Sequence, residues 1–297
     1  MTAAVDPAQL ERAAEPYAHD PHAAELAFSL QVAVEAGRLL MDLYERVEQI
    51  DYKSARDVVT EADHRSEALI LDAVRRRFPD DRILAEESGH HTGANGSPGE
   101  LAGRAWIVDP LDGTVNYANG IPFFCVSMAL VVDGRPAVGV IHDPTRGELF
   151  AATADGPATL DGHPVRVSGK ERLSDFVISL ALGGRAVATR SRAVRRAVRI
   201  PRSMGSAALA LAYVANGRFD AFVQQGGLSA WDVAAAGLIA ERAGATVTDF
   251  EGGRWFDEAR GSRALGLVAA PPGHHRALLE LVGPSTAPTA AGRSPSG

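Results

Sequence analysis

Cysteine is almost missing from this chain of 297 residues. The single thiol, Cys125, excludes disulfides within the chain and any multi-cysteine metal site. It also fails as a phosphatase nucleophile of the cysteine type, because Val131 stands six positions on, where an arginine is needed. No apolar run approaches the ~18 residues of a spanning helix. The start Met1-Thr2-Ala3-Ala4-Val5-Asp6 lacks the basic and apolar regions of a signal peptide, so a cytoplasmic protein without membrane contact is expected. An excess of positive charge is lacking as well: 30 Lys and Arg face 37 Asp and Glu, for a net charge of −7, which argues against a dedicated nucleic-acid surface. One local exception is the basic run Arg185, Arg190, Arg192, Arg195, Arg196, Arg199 and Arg202, whose ordinary reading is a solvated helix face plus loop. His64, His90, His91, His142 and His163 are scattered without zinc-site spacing, and no internal repeat is found.

What is present is the ordinary mixture of a soluble globular chain, 46% hydrophobic and 23% charged, long enough to bury a core in two lobes. Residues 1–21 are interrupted by Pro7, Pro16 and Pro21 and read as a flexible extension. Residues 22–170 form the first half. Leu26, Leu30, Ala33, Leu40 and Leu43 recur at helical spacing within Ala23 to Glu48, Lys53 to Asp57 reads as a loop, and a second helix follows a capping box at Thr60-Glu61-Ala62-Asp63. Ile83-Leu84-Ala85 is a short strand, and Gly89 to Gly103 a polar, glycine-rich loop. Phe123 to Val132 and Ala137 to His142 flank Asp133-Gly134-Arg135-Pro136 as a hairpin, continued by strands at Glu148 to Thr153 and near Pro164 to Val167. Residues 171–283 alternate strands and helices: Phe176 to Leu180, Phe219 to Val223, Ala245 to Asp249 and Leu265 to Ala269 are extended. Gly205 to Ala215, Trp231 to Ala243 and His274 to Leu281 are helical. The Pro/Ser/Ala/Gly-rich end, 284–297, is expected to be disordered.

The stretch around which this pattern is arranged is Asp109-Pro110-Leu111-Asp112-Gly113-Thr114, at the end of the apolar run Trp106-Ile107-Val108. Pro110 is expected to open a turn that Gly113 completes, bringing two carboxylates together. Two such charges repel by about 4 kcal/mol at 4 Å and an effective dielectric near 20, so a cation or a shared proton belongs between them. An all-oxygen donor set suits a hard ion, Mg²⁺ or Mn²⁺. The N–H groups of Gly113 and Thr114, opening a short helix, suit an anion such as phosphate. The same residues also fit a tight turn with a capping aspartate, and a D-x-D nucleophile is excluded because the two aspartates are three apart. Glu86 and Glu87 alternate on an extended strand, so only one, taken as Glu86, joins the cluster. Asp232 in Ser229-Ala230-Trp231-Asp232 is either a further acidic ligand or a plain S-x-x-D capping box.

Read together, Asp57-Val58-Val59-Thr60-Glu61-Ala62-Asp63, Ala85-Glu86-Glu87-Ser88, Trp106 through Tyr117, and Ala230-Trp231-Asp232-Val233-Ala234-Ala235-Ala236-Gly237 resemble the inositol monophosphatase family. Arg202-Ser203-Met204-Gly205-Ser206-Ala207-Ala208 resembles a fifth segment of it. The resemblance implies a mixed α+β and α/β chain with the layered αβαβα sugar-phosphatase fold, a homodimer, and hydrolysis of a small phosphate monoester. It implies two or three Mg²⁺ ions, held by Glu86, Asp109, the Leu111 carbonyl, Asp112 and Asp232. Glu86, Asp63 and Thr114 would be the catalytic residues, Asp63 and Thr114 orienting a metal-activated water, with phosphate on Gly113 and Thr114. Substrate contacts would come from Gly205, Ser206, Ala207, Gln225 and Asp232. Gln225 stands where the family often has a glutamate, which weakens histidinol phosphate against a polyol or sugar phosphate such as inositol monophosphate. Fructose bisphosphate and nucleotide 3′-phosphates are further alternatives. An RNA or transcription-machinery role is the non-enzymatic one.

Overall fold

Apolar runs from Trp106 onward, buried on both faces, build the largest of three sheets, and helical periodicity on either side supplies the covering layers. The computed structural model describes residues 5–44, 50–54, 57–93, 103–182, 188–258 and 263–282. The first half contains α1 (Pro7–Ala14), α2 (Ala23–Leu43), the hairpin β1 (Ile50–Ser54) and β2 (Asp57–Thr60), and α3 (Glu61–Arg77). It continues through β3 (Arg82–Ala85), β4 (Gly89–His91), β5 (Arg104–Asp112) and α4 (Thr114–Ala118). It closes with β6 (Cys125–Val132), β7 (Arg135–Asp143), β8 (Glu148–Thr153), β9 (Thr159–Leu160) and β10 (His163–Pro164). The second half adds β11 (Val177–Ala181), α5 (Ala188–Ala197), β12 (Ile200–Arg202), α6 (Ala207–Ala215), β13 (Ala221–Leu228), α7 (Ala230–Arg242), β14 (Thr246–Thr248), β15 (Leu265–Ala270) and α8 (Pro272–Val282).

The large sheet has the order β10-β9-β8-β7-β6-β5-β3-β4, antiparallel except for the parallel β3/β5 pair. The smaller one runs β12-β11-β13-β15-β14, parallel at β11/β12 and β11/β13. One apolar cluster joins α1, α2 and α3 to one face of the large sheet, and a second joins its other face to α6 and α7. A third packs α5 and α8 on the outer face of the small sheet. The layers therefore run αβαβα, as the family resemblance implied. Close packing of α7 on the large sheet depends on Gly139, where a Cβ would stand 2.7 Å from the Ala235 carbonyl oxygen.

Several expectations are corrected. The N-terminal extension is not loose: Asp6 caps α1 through the Gln9 N–H, and Pro7 at the first helical position starts the helix rather than breaking it. Tyr17 then anchors the segment, fully buried, its hydroxyl donating toward the carbonyls of Ala151 and Pro157 at 2.8 and 2.9 Å. The loop expected over Lys53 to Asp57 is instead mostly strand, in the β1/β2 hairpin. Part of the glycine-rich loop pairs with β3 as β4. The strand expected to reach Val167 ends at Pro164, where the pairing with β9 stops. The β6/β7 hairpin is as expected, with Asp133 and Gly134 both at positive φ, the twist that suits a two-residue connection. Residues 45–48 of the first long helix, 94–102 of the glycine-rich loop, Arg185 and the 284–297 tail lie outside the described residues.

Candidate metal centre

Asp109 and Asp112 both sit on β5, and their separation of three would normally send them to opposite faces of a strand. The expected turn at Pro110 does not form. Instead the strand continues through a bulge: Asp109 pairs with Ser127 and Asp112 with Cys125, so β5 carries one residue more than β6 across this interval. The extra residue resets the alternation and turns both carboxylates to the same side. Pro110, which cannot donate to a ladder, fits at such an irregularity. The chain turns only at Gly113, whose φ of +102° suits glycine. There a Cβ would also stand 3.1 Å from the Phe123 carbonyl oxygen.

Register delivers the next acid. Ala85 pairs in parallel with Val108, so Glu86 emerges beside Asp109, and the two carboxyls hydrogen-bond to each other. They can do so only by sharing a proton. The fourth acid arrives from 120 residues away along the chain, at the start of α7, where one oxygen atom from each of Asp109, Asp112 and Asp232 lies within 4.8 Å of the others. Asp232 forms the capping box and also faces the other acids: its Oδ2 accepts the Ser229 N–H at 2.5 Å while the carboxylate lies with those of Asp109 and Asp112.

Burial pushes Asp109 well above the usual carboxylate range, and the charges of Glu86, Asp112 and Asp232 push it further. Asp232 is raised by desolvation and then by Asp112. Asp112 is raised by burial, with partial relief from donors: Ser206 Oγ at 2.5 Å and the Ala208 N–H at 2.6 Å, at the first turn of α6. Ser206 was expected on the substrate side; here its hydroxyl fixes Asp112. Such a set of crowded, desolvated oxygens fits a divalent hard cation.

Asp63 lies outside the tight cluster and is buried at the N-terminus of α3. Its Oδ2 accepts from the Thr60 N–H and hydroxyl, and its Oδ1 faces Thr114 Oγ1 at 2.9 Å. Thr114 Oγ1 also lies 3.0 Å from the Leu111 carbonyl oxygen. Leu111, Gly113 and Thr114 all border a cavity of about 540 Å³ that the acids open into. Gly205, Ser206 and Ala207 border it too, held by Asn116, whose Nδ2 donates to the carbonyls of Phe123 and Met204 at 2.7 Å each. Gln225 does not border it. A second irregularity, between Gln224 and Leu228 with Gly226 and Gly227 at positive φ, leaves Gln224 facing the cavity. The Oε1 of Gln225 is buried without a hydrogen-bond partner among the described residues. Ser179 and Arg263 also border the cavity and were missed. Neither carries a local signal, since pairing in the small sheet alone brings β11 and the start of β15 here.

Residues 23–286 match the inositol monophosphatase family. The chain belongs to that family. It is 37% identical over 269 residues to Nus factor SuhB of Pasteurella multocida, covering 87% of this chain and 96% of that protein. It is also 37% identical over 232 residues to the fructose-1,6-bisphosphatase/inositol-1-monophosphatase of Thermotoga maritima, covering 76% of this chain and 85% of the other. The crystal structure of the extragenic suppressor protein suhB from Bartonella henselae superposes with a TM-score of 0.79 at 35% identity, covering 87% of this chain and 98% of that one. Among the described residues no helix is long and apolar enough to cross a membrane.

Proposed function

We propose that this protein hydrolyses a phosphate monoester of a small polyol or sugar, using Mg²⁺. The observation that carries this reading is the convergence of Asp109, Asp112 and Asp232 within 4.8 Å, with Glu86 emerging beside Asp109. These four carboxylates, with the Leu111 carbonyl, would hold the ions. When bound, such ions neutralise phosphoryl charge and acidify water. The chain's own groups supply orientation and the proton path. Ser206 and the Ala208 N–H hold Asp112 at a fixed angle, and the Ser229 N–H does the same for Asp232. Thr114 Oγ1 passes its proton to Asp63 as it accepts one from the attacking water. The new O–P bond forms as the ester O–P bond breaks, and the leaving alkoxide takes a proton to become the alcohol.

The activities in the Thermotoga relative's name make inositol 1-phosphate and fructose 1,6-bisphosphate the first substrates to try. The neutral amide of Gln224 at the cavity wall supports a hydroxylated substrate better than a cationic one such as histidinol phosphate. Phosphate release from inositol 1-phosphate, fructose 1,6-bisphosphate, histidinol phosphate and adenosine 3′,5′-bisphosphate, with Mg²⁺ or EDTA, tests the reading. Metal-dependent release that Asp109→Asn abolishes is expected. Release from none of them by the folded wild-type protein would refute it. That result would favour a second reading suggested by the relative named a Nus factor, a role in transcription.

A further inference from the structure

The 13-residue helix α7 has a different environment at each end. Its start carries Asp232; its last turn opens onto a separate cavity of about 660 Å³, bordered by the tip of the β6/β7 hairpin and the chain after β14. Three arginines border it: Arg135, Arg242 and Arg254. In a protein of net charge −7 this concentration of one sign is unusual.

None of the three forms an ion pair with a carboxylate among the described residues. Backbone oxygens orient two of them instead: Arg242 Nε donates to the Gly156 carbonyl at 2.7 Å, and Arg254 donates to that of Gly134. A carbonyl fixes a guanidinium without neutralising it, so donors remain for a further acceptor. Among the described residues the one carboxylate bordering the cavity is Glu241; the Trp255 indole N–H engages it at 2.8 Å, and burial raises its pKa more than Trp255 and the charge of Arg242 lower it. Behind it the floor is apolar, formed by Trp255 and Leu238, which keeps water from one side of the charges and strengthens their field.

We propose that this cavity is a second anion site, independent of the metal centre, which takes a compact polyanion of the pyrophosphate or phosphorylated-metabolite class through the guanidiniums of Arg135, Arg242 and Arg254. Guanidiniums pair with such oxygens in two-pronged fashion. The site needs no metal, whereas the acidic cleft repels anions unless metal is bound, and this difference makes the two separable.

The test is calorimetric titration of pyrophosphate into the full-length protein in EDTA. One binding event per chain is expected, unchanged in Asp109→Asn and weakened at least tenfold in both Arg135→Gln and Arg242→Gln. The Arg135 side chain is exposed and has no hydrogen bond or ion pair among the described residues, so its variant tests the site even if Arg242→Gln fails to fold. No binding to the wild-type protein at millimolar pyrophosphate would overturn the proposal. So would binding that both pocket variants retain, or binding lost instead in an Arg195→Gln/Arg196→Gln variant on the exposed face of α5.

Discussion

Replacing Asp109 by asparagine keeps the size of the side chain and its acceptor for the Leu111 N–H, while deleting one charge from the crowded cleft. With oxygens of Asp112 and Asp232 within 4.8 Å, each pair costs about 3 kcal/mol at an effective dielectric near 20. Part of this is already relieved by the proton shared with Glu86, so the metal-free variant is expected to be more stable than the wild type by ~2–4 kcal/mol. For a chain of this size that is a melting temperature higher by roughly 4–8 °C in EDTA. The sign depends on pH. The folded-state pKa of Asp109 is raised, so the penalty is absent below about pH 4, where the carboxyl is protonated in both states, and grows as pH rises. Adding MgCl₂ should reverse the order: the wild type gains stability by binding the ion, the variant gains little, and phosphate release falls by a factor on the order of 10³ or more. Thermal unfolding at pH 5 and 8, with EDTA or MgCl₂, reads all of this. A variant that melts below the wild type in EDTA at pH 8, or that gains as much from Mg²⁺, would show that the aspartates are not a strained ion site.

Thr114→Val removes the hydroxyl between Asp63 and Leu111, and kcat is expected to drop ~10²–10⁴-fold while the Mg²⁺ concentration for half-maximal activity stays put. Ser206→Ala has the opposite signature: Asp112 loses a donor, and that Mg²⁺ concentration should rise ~10–100-fold. Gly205→Ala should lose activity and stability together, because its φ is +82° and a Cβ would meet Asn116 at 2.7 Å; paired kinetics and melting curves check it. His142 is buried, donates its Nδ1–H to the Ala33 carbonyl, and has its pKa lowered by desolvation to about 4. A depressed histidine stabilises the fold fully above pH 6.5, and this contribution is lost as pH falls toward 4. The loss amounts to about 3 kcal/mol, measured as the denaturation midpoint against pH, and His142→Gln should flatten that slope.

Much of this protein could be read along the chain because its signals are local. The helix caps at Thr60 and Ser229 and the Asp133-Gly134 hairpin depend on residues a few positions apart, and four short acidic motifs in order carry the family resemblance. Prolines misled where their meaning depends on surroundings. Pro7 looks like a breaker until Asp6 caps the helix it starts, and Pro110 looks like a turn until pairing with β6 holds it in a bulge of β5. The candidate acids could therefore be named from sequence, but their meeting could not. The two residues between Asp109 and Asp112 do not by themselves fix how the carboxylates face; only pairing with β6 decides where the alternation is broken. Asp232 joins them because α7 packs across the sheet, and Gln224 displaces Gln225 because of a bulge against β15. Long-range pairing and packing are properties of two segments at once, so neither segment alone contains them.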